Sequence, residues 1–84
     1  MKIVEVRWWD AWIDVSDSTL KTARKQRPIE RFTVGYLVGE NEDGIVLSTD
    51  YFPKKKKVKE VSALMVIPWG MIEHWEYQDV EENS

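Results

Sequence analysis

The side chains able to do chemistry are few in this chain and poorly arranged for catalysis. Its single histidine, His74, follows Ile72 in a segment of strand character, and there is no cysteine to supply a thiolate nucleophile, a metal ligand or a disulfide. Asp10, Asp14 and Asp17 recur at short spacing, as the first ligands of a calcium loop do. The glycine and closing glutamate of such a loop are missing, so turn and cap roles fit these acids better. Gly35 and Gly39 precede no helix and therefore make no phosphate cradle. With no nucleophile beside a base and no convergent acids, the expectation is a protein that is not an enzyme, with no catalytic residue, no metal and no cofactor.

Two other groups of residues carry more information. Lys21, Arg24, Lys25 and Arg27, with Arg31, form one basic segment; Lys54, Lys55, Lys56 and Lys57, with Lys59, form another. Every positive charge except Lys2 and Arg7 falls in these two segments. Clustered cations attract phosphate, so nucleic acid or an anionic ligand is one class of partner. The whole chain nevertheless carries a net charge of −3, whereas nucleic-acid modules are usually basic. A lysine run also serves as a solvated loop that deters edge pairing, and this reading is preferred.

The aromatic residues are the sharper anomaly, with five tryptophans in 84 residues. Trp8, Trp9 and Trp12 lie close together, and Trp69 and Trp75 flank a turn. Neighbours in a strand point to opposite faces, so Trp8 and Trp9 cannot both enter one core. Large rigid rings concentrate binding energy at protein interfaces, which makes Trp9, Trp12, Tyr36 and Trp69 the candidates for a contact surface. The competing account is structural: Trp9 or Trp12 packs beneath a helix, and Trp69 closes the mouth of a barrel.

The elements that must position these residues follow from local pattern. Residues 3–9 alternate as a half-buried strand. Ser16, Asp17 and Ser18 are N-cap residues ahead of helix formers that continue to Pro28, which predicts a surface helix of two to three turns within 16–27. A strand over 30–39 sets Phe32, Val34, Tyr36 and Val38 on one face, with Gly35 marking a bend. Asp43-Gly44 suits a primed hairpin turn with positive φ, leading into a strand at 45–49. Residues 50–59 read as a loop whose ends extend the flanking strands; further strands follow at 61–67 and 71–77, joined by a tight turn at Pro68, Trp69 and Gly70. As an up-and-down meander, these strands would bring both basic segments and the acidic C-terminus to one end.

The length fits one domain, taken as residues 1–78, with 79–84 an acidic flexible tail. No stretch is apolar enough for a membrane span or signal peptide, which leaves the cytoplasm as the expected compartment. Five short strands predict a mainly β fold, a five-stranded SH3-like small barrel with one short surface helix in the first connection. The run from Val66 to Ile72, with Pro68 opening it, resembles the helical turn between the last two strands of SH3 domains. Across most of the chain, V-R-W-W-D-A, D-S-T-L, T-V-G-Y-L-V, D-G-I-V-L-S-T-D and I-P-W-G-M-I are similar to small proteins of bacteriophages and prophages. That resemblance implies a phage origin, and so a host cytoplasm, and a compact β fold; it assigns no functional residue. The function expected is non-enzymatic binding through protein contacts, with itself as a homo-oligomer or with a host factor. Nucleic-acid or anionic-ligand binding and a structural place in a virion are the alternatives.

Overall fold

Residues 4, 6 and 8 alternate with charged or outward residues, and this alternation builds the centre of the molecule. In the computed structural model, which describes residues 2–52 and 60–79, strand β1 (Lys2–Asp10) buries Val4, Val6 and Trp8 on one face. The remaining strands are β2 (Ile29–Glu40), β3 (Gly44–Phe52), β4 (Glu60–Pro68) and β5 (Ile72–Asp79). They form one antiparallel sheet in the order β4-β3-β2-β1-β5. The fold is mainly β, with five strands, as the sequence pattern predicts. The sheet is not closed: β4 and β5 are its two edges and do not pair with each other.

Strand β2 serves two neighbours in succession. Its first part pairs with β1 and its last part with β3, and Tyr36 stands at the handover, opposite both Ile3 and Ser48. The close approach at this bend requires Gly35, because a Cβ there would lie 2.8 Å from both Leu47 Cδ1 and the Ser48 carbonyl oxygen. Val38 is then an extra residue between the Leu37–Leu47 and Gly39–Val46 pairs, a bulge that adds to the bend. The fold over brings Ile45 and Leu47 of β3 and Ile67 of β4 against β1's inner face, and Leu37, Trp69 and Ile72 pack around this core. Each fully buried aliphatic side chain is worth about 1.5–3 kcal/mol, so these few residues carry most of the fold.

Four expectations need correction. The helix α1 is only Leu20–Ala23, four residues with none buried; Thr19 caps it by accepting from the Thr22 amide at 3.2 Å. Without an apolar stripe to dock, a longer helix has nothing to offset its nucleation cost. The β2–β3 turn uses no positive φ: Asn41 Oδ1 accepts from the amides of Asp43 and Gly44, at 2.9 and 3.1 Å, and closes it with a side chain instead. Gly44 is nevertheless essential for space, since a Cβ there would lie 2.0 Å from the Ile67 carbonyl oxygen.

The third correction concerns the last strand. Pro68 caps a single 3₁₀ turn, Trp69–Met71, which redirects the chain so that β5 pairs with β1 rather than folding back on β4. Asp79 therefore lies opposite Lys2 at the start of β1, while the basic residues around α1 follow β1's other end. Asp79, the last residue of β5, does not join them; Glu81 and Glu82 lie outside the described residues. The fourth concerns shape: the radius of gyration is 17.0 Å and the extents are 57 × 23 × 23 Å. A compact chain of this length would have a radius near 12 Å. Residues Asp50–Phe52 of β3 pair only with Ser62–Glu60 of β4, a two-stranded ribbon that leaves the body of the sheet.

Candidate functional site

The register of β1 on β2 decides which face of β2 meets solvent. Gly35, Thr33 and Arg31 stand opposite Val4, Val6 and Trp8, so β2 turns Gly35 and Thr33 inward, while Arg31 at the end of this face reaches out to Asp10. This follows from the bulk of Trp8: its indole fills the space, and its Nε1 donates to Thr33 Oγ1 at 2.9 Å. The apolar face of β2 is left outside. Phe32 and Val34 are 63% and 56% exposed. Beside them, Ile3, Val34, Gly35, Tyr36 and Thr49 line an open depression of about 230 Å³. Tyr36 packs in turn against Tyr51, with ring centroids 5.5 Å apart, and the Tyr51 hydroxyl is buried without a hydrogen-bond partner among the described residues.

A polar frame borders this apolar surface. Arg7 Nη2 bonds Glu30 Oε2 at 3.1 Å, and its guanidinium carbon lies 5.9 Å from the centre of the Phe32 ring. In β5 the register slips by one residue between the Arg7–His74 and Trp8–Ile72 pairs, which makes Glu73 an extra residue. Glu73 accepts from Trp9 Nε1 at 2.7 Å and lies 3.9 Å from Arg7 Nε, too far for a hydrogen bond. A bulge that re-aims one side chain is a common device at sheet edges. These ion pairs are solvent-exposed, so each adds at most about 1 kcal/mol and mainly fixes orientation.

The four aromatic candidates do not converge. Trp8 is 7% exposed and Trp9 39%, the division of faces that their adjacency requires. Trp12 donates to the Arg27 carbonyl oxygen at 2.5 Å and braces the first connection. Trp69 donates to the Asn41 carbonyl oxygen at 2.8 Å and meets Trp75 edge-on at 5.3 Å, so it pins the 3₁₀ turn to the β2–β3 turn. Tyr36 alone lines the outer depression.

Lys21, Arg24, Lys25 and Arg27 are exposed around α1; Lys54, Lys55, Lys56 and Lys57 lie outside the described residues. Arg27 also lines, with Ala11, Trp12, Gln26 and Pro28, an open groove of about 340 Å³. His74 is exposed and its ring meets Glu76 Oε1 at 3.1 Å. Asp14 turns the first connection: its carboxylate accepts from the amide and hydroxyl of Ser16, which holds its pKa below the ordinary 3.8. Among the described residues no group of three potential ligands is placed to hold a metal, and no helix is long and apolar enough to cross a membrane.

Two surfaces escaped the sequence reading. Phe32 and Val34 were legible as one apolar face of a strand, but nothing local says that this face points away from the core. The second surface is β4, where Leu64, Met65 and Val66 are 61%, 40% and 52% exposed along a free edge. Its signal was present as a stretch from Val61 to Pro68 without a charge. Compared with family models, with curated proteins and with solved structures, the chain matches none.

Proposed function

We propose that this chain is a non-enzymatic protein-binding domain of the open SH3-like barrel type, of phage or prophage origin, acting through the outer face of β1 and β2. The observation that carries the binding reading is that β2 turns its apolar face outward, so Phe32 and Val34 serve no core of their own. Contiguous exposed apolar surface rimmed by charge, here Arg7, Glu30 and Glu5, is the usual make-up of a contact site. Supporting the barrel type are the bend at Gly35, the single turn after Pro68 and the pairing of the last strand with the first.

The test is quantitative capture of proteins from a cell extract by immobilised wild type and by Phe32→Asp/Val34→Asp. Both residues are exposed, so circular dichroism of the variant should match wild type. A buried anchor at an interface is worth more than about 1.4 kcal/mol, and a specific partner should therefore be retained at least about tenfold less by the variant. Equal retention of every captured protein overturns the reading.

A second reading, anionic-ligand or nucleic-acid binding, is favoured by one observation: Trp12 and Arg27 share a groove, an indole beside a guanidinium. It predicts binding to single-stranded oligonucleotide that weakens with salt and with Arg24→Gln/Lys25→Gln/Arg27→Gln.

A further inference from the structure

We propose that the outer face takes a protein segment presenting a lysine or arginine flanked by apolar residues, with the cation between Glu5 and Glu76 and the apolar residues on Phe32 and Val34. The inference rests on the outer-face reading and names the chemistry of what that face binds. Register lays the face out in cross-strand rows. Glu76, Glu5 and Val34 make one row, with His74, Arg7 and Phe32 on one side of it and Gln78, Ile3 and Tyr36 on the other. The column along β2 is therefore apolar, and the two carboxylates stand beside it on β1 and β5.

Glu5 directly opposite Glu76 is an unfavourable pair, because cross-strand Cβ atoms stand about 5 Å apart and like charges at that distance destabilise a sheet. No cation among the described residues relieves it. Arg7 is bonded to Glu30 Oε2 at 3.1 Å and lies 3.9 Å from Glu73 Oε2, so its charge is already shared by two other acids. Lys2 alternates onto the face of Val4, where it lies 6.0 Å from the centre of the Tyr77 ring. Among the described residues Glu76 pairs only with the His74 ring, at 3.1 Å, and Glu5 pairs with no basic group.

The surroundings suit a cation on an apolar stem. Ile3, Glu5, Val34, Glu76, Tyr77 and Gln78 line a depression of about 300 Å³, in which the carboxylates adjoin aliphatic and aromatic side chains. Lys and Arg carry their charge at the tip of a methylene chain, so one side chain covers apolar surface and reaches a carboxylate together. Charge also removes two other occupants. Glu5, Glu30, Glu73 and Glu76 outnumber Arg7 on this face, and that excess repels phosphate and hence nucleic acid. Two outer faces meeting each other would likewise set acids against acids. A pair that costs the free protein stability, and is relieved when a cation arrives, favours a basic partner over a neutral one of the same shape.

The test pans a random octapeptide library on the immobilised full chain. Enriched peptides should carry Lys or Arg beside an apolar residue, and one of them, synthesised, should bind more weakly as salt rises. Glu5→Gln/Glu76→Gln replaces two exposed carboxylates and should bind that peptide about fivefold or more weakly, while unfolding at a higher urea concentration than wild type. Glu5→Lys/Glu76→Lys should select peptides with Asp or Glu instead. Enriched peptides without an excess of Lys or Arg, no enrichment at all, equal affinity of wild type and the Gln variant, or a lower urea midpoint in that variant overturns the proposal. Phe32→Thr/Val34→Thr removes apolar area without adding charge and separates the two failures. Neutral or acidic peptides that this variant no longer binds overturn the proposal and leave the outer-face reading standing; peptides that it binds as tightly as wild type overturn both. A wild-type mass above the 9.9 kDa of one chain by light scattering, brought down to it in the Gln variant, assigns the face to a second copy and also overturns the proposal.

Discussion

The two edges of the sheet are held in opposite ways. β5 is an alternating strand whose charged residues face water, and it is tied down by polar contacts: Glu73 accepts from Trp9 and lies near Arg7. β4 carries no charge from Val61 to Pro68 and is tied down by burial, through Ile67 in the core and through Gly44, which lets β3 approach its backbone. An edge secured by polar groups can remain an edge in water. One secured by its inner residue leaves its outer apolar side chains, Leu64 and Val66 among them, open to water at the free edge.

The strongest way to break that contrast is to remove the close approach on the β4 side. Gly44→Ala places a methyl group against the Ile67 carbonyl, a backbone atom that cannot step aside. We expect a loss of at least about 3 kcal/mol by urea unfolding, at the upper end of overpacking costs. That is a large share of the roughly 4–12 kcal/mol available to a domain of this length. Gly70→Ala, with open space around its Cβ, should change stability by less than about 0.5 kcal/mol and gives the comparison.

A second pair of variants weighs burial against polar anchoring. Ile67→Ala should cost about 2–5 kcal/mol, because a fully buried methyl-rich side chain leaves a cavity. Glu73→Ala on β5 should cost only about 0.5–1 kcal/mol, since its partners are exposed and water replaces the lost acceptor. Equal losses in the two variants would dissolve the distinction between the edges.

The smallest effect lies away from both edges and supplies a baseline. Asp14 has its pKa lowered by the Ser16 amide and hydroxyl, so the carboxylate form favours the turn. Its contribution is present above the ordinary 3.8 and is lost as the pH falls through the depressed native value. A carboxyl titration by nuclear magnetic resonance should show this displacement, and Ser16→Ala should return Asp14 toward 3.8 without moving either edge.

Local chemistry alone determined much of this molecule. Alternation marked the strands, Pro68 marked the turn before the last one, Gly35 marked the bend, and the adjacency of Trp8 and Trp9 required one ring inside and one outside. These features depend on side-chain period and backbone sterics over a few residues, which a sequence states directly. Tertiary structure alone decided the partner of β5, the length of α1, the steric need for Gly44 and the outward turn of Phe32 and Val34. A period of two defines a pair of faces but not which one is buried; that choice fell to the bulk of Trp8 on the neighbouring strand, a contact between residues distant in the chain.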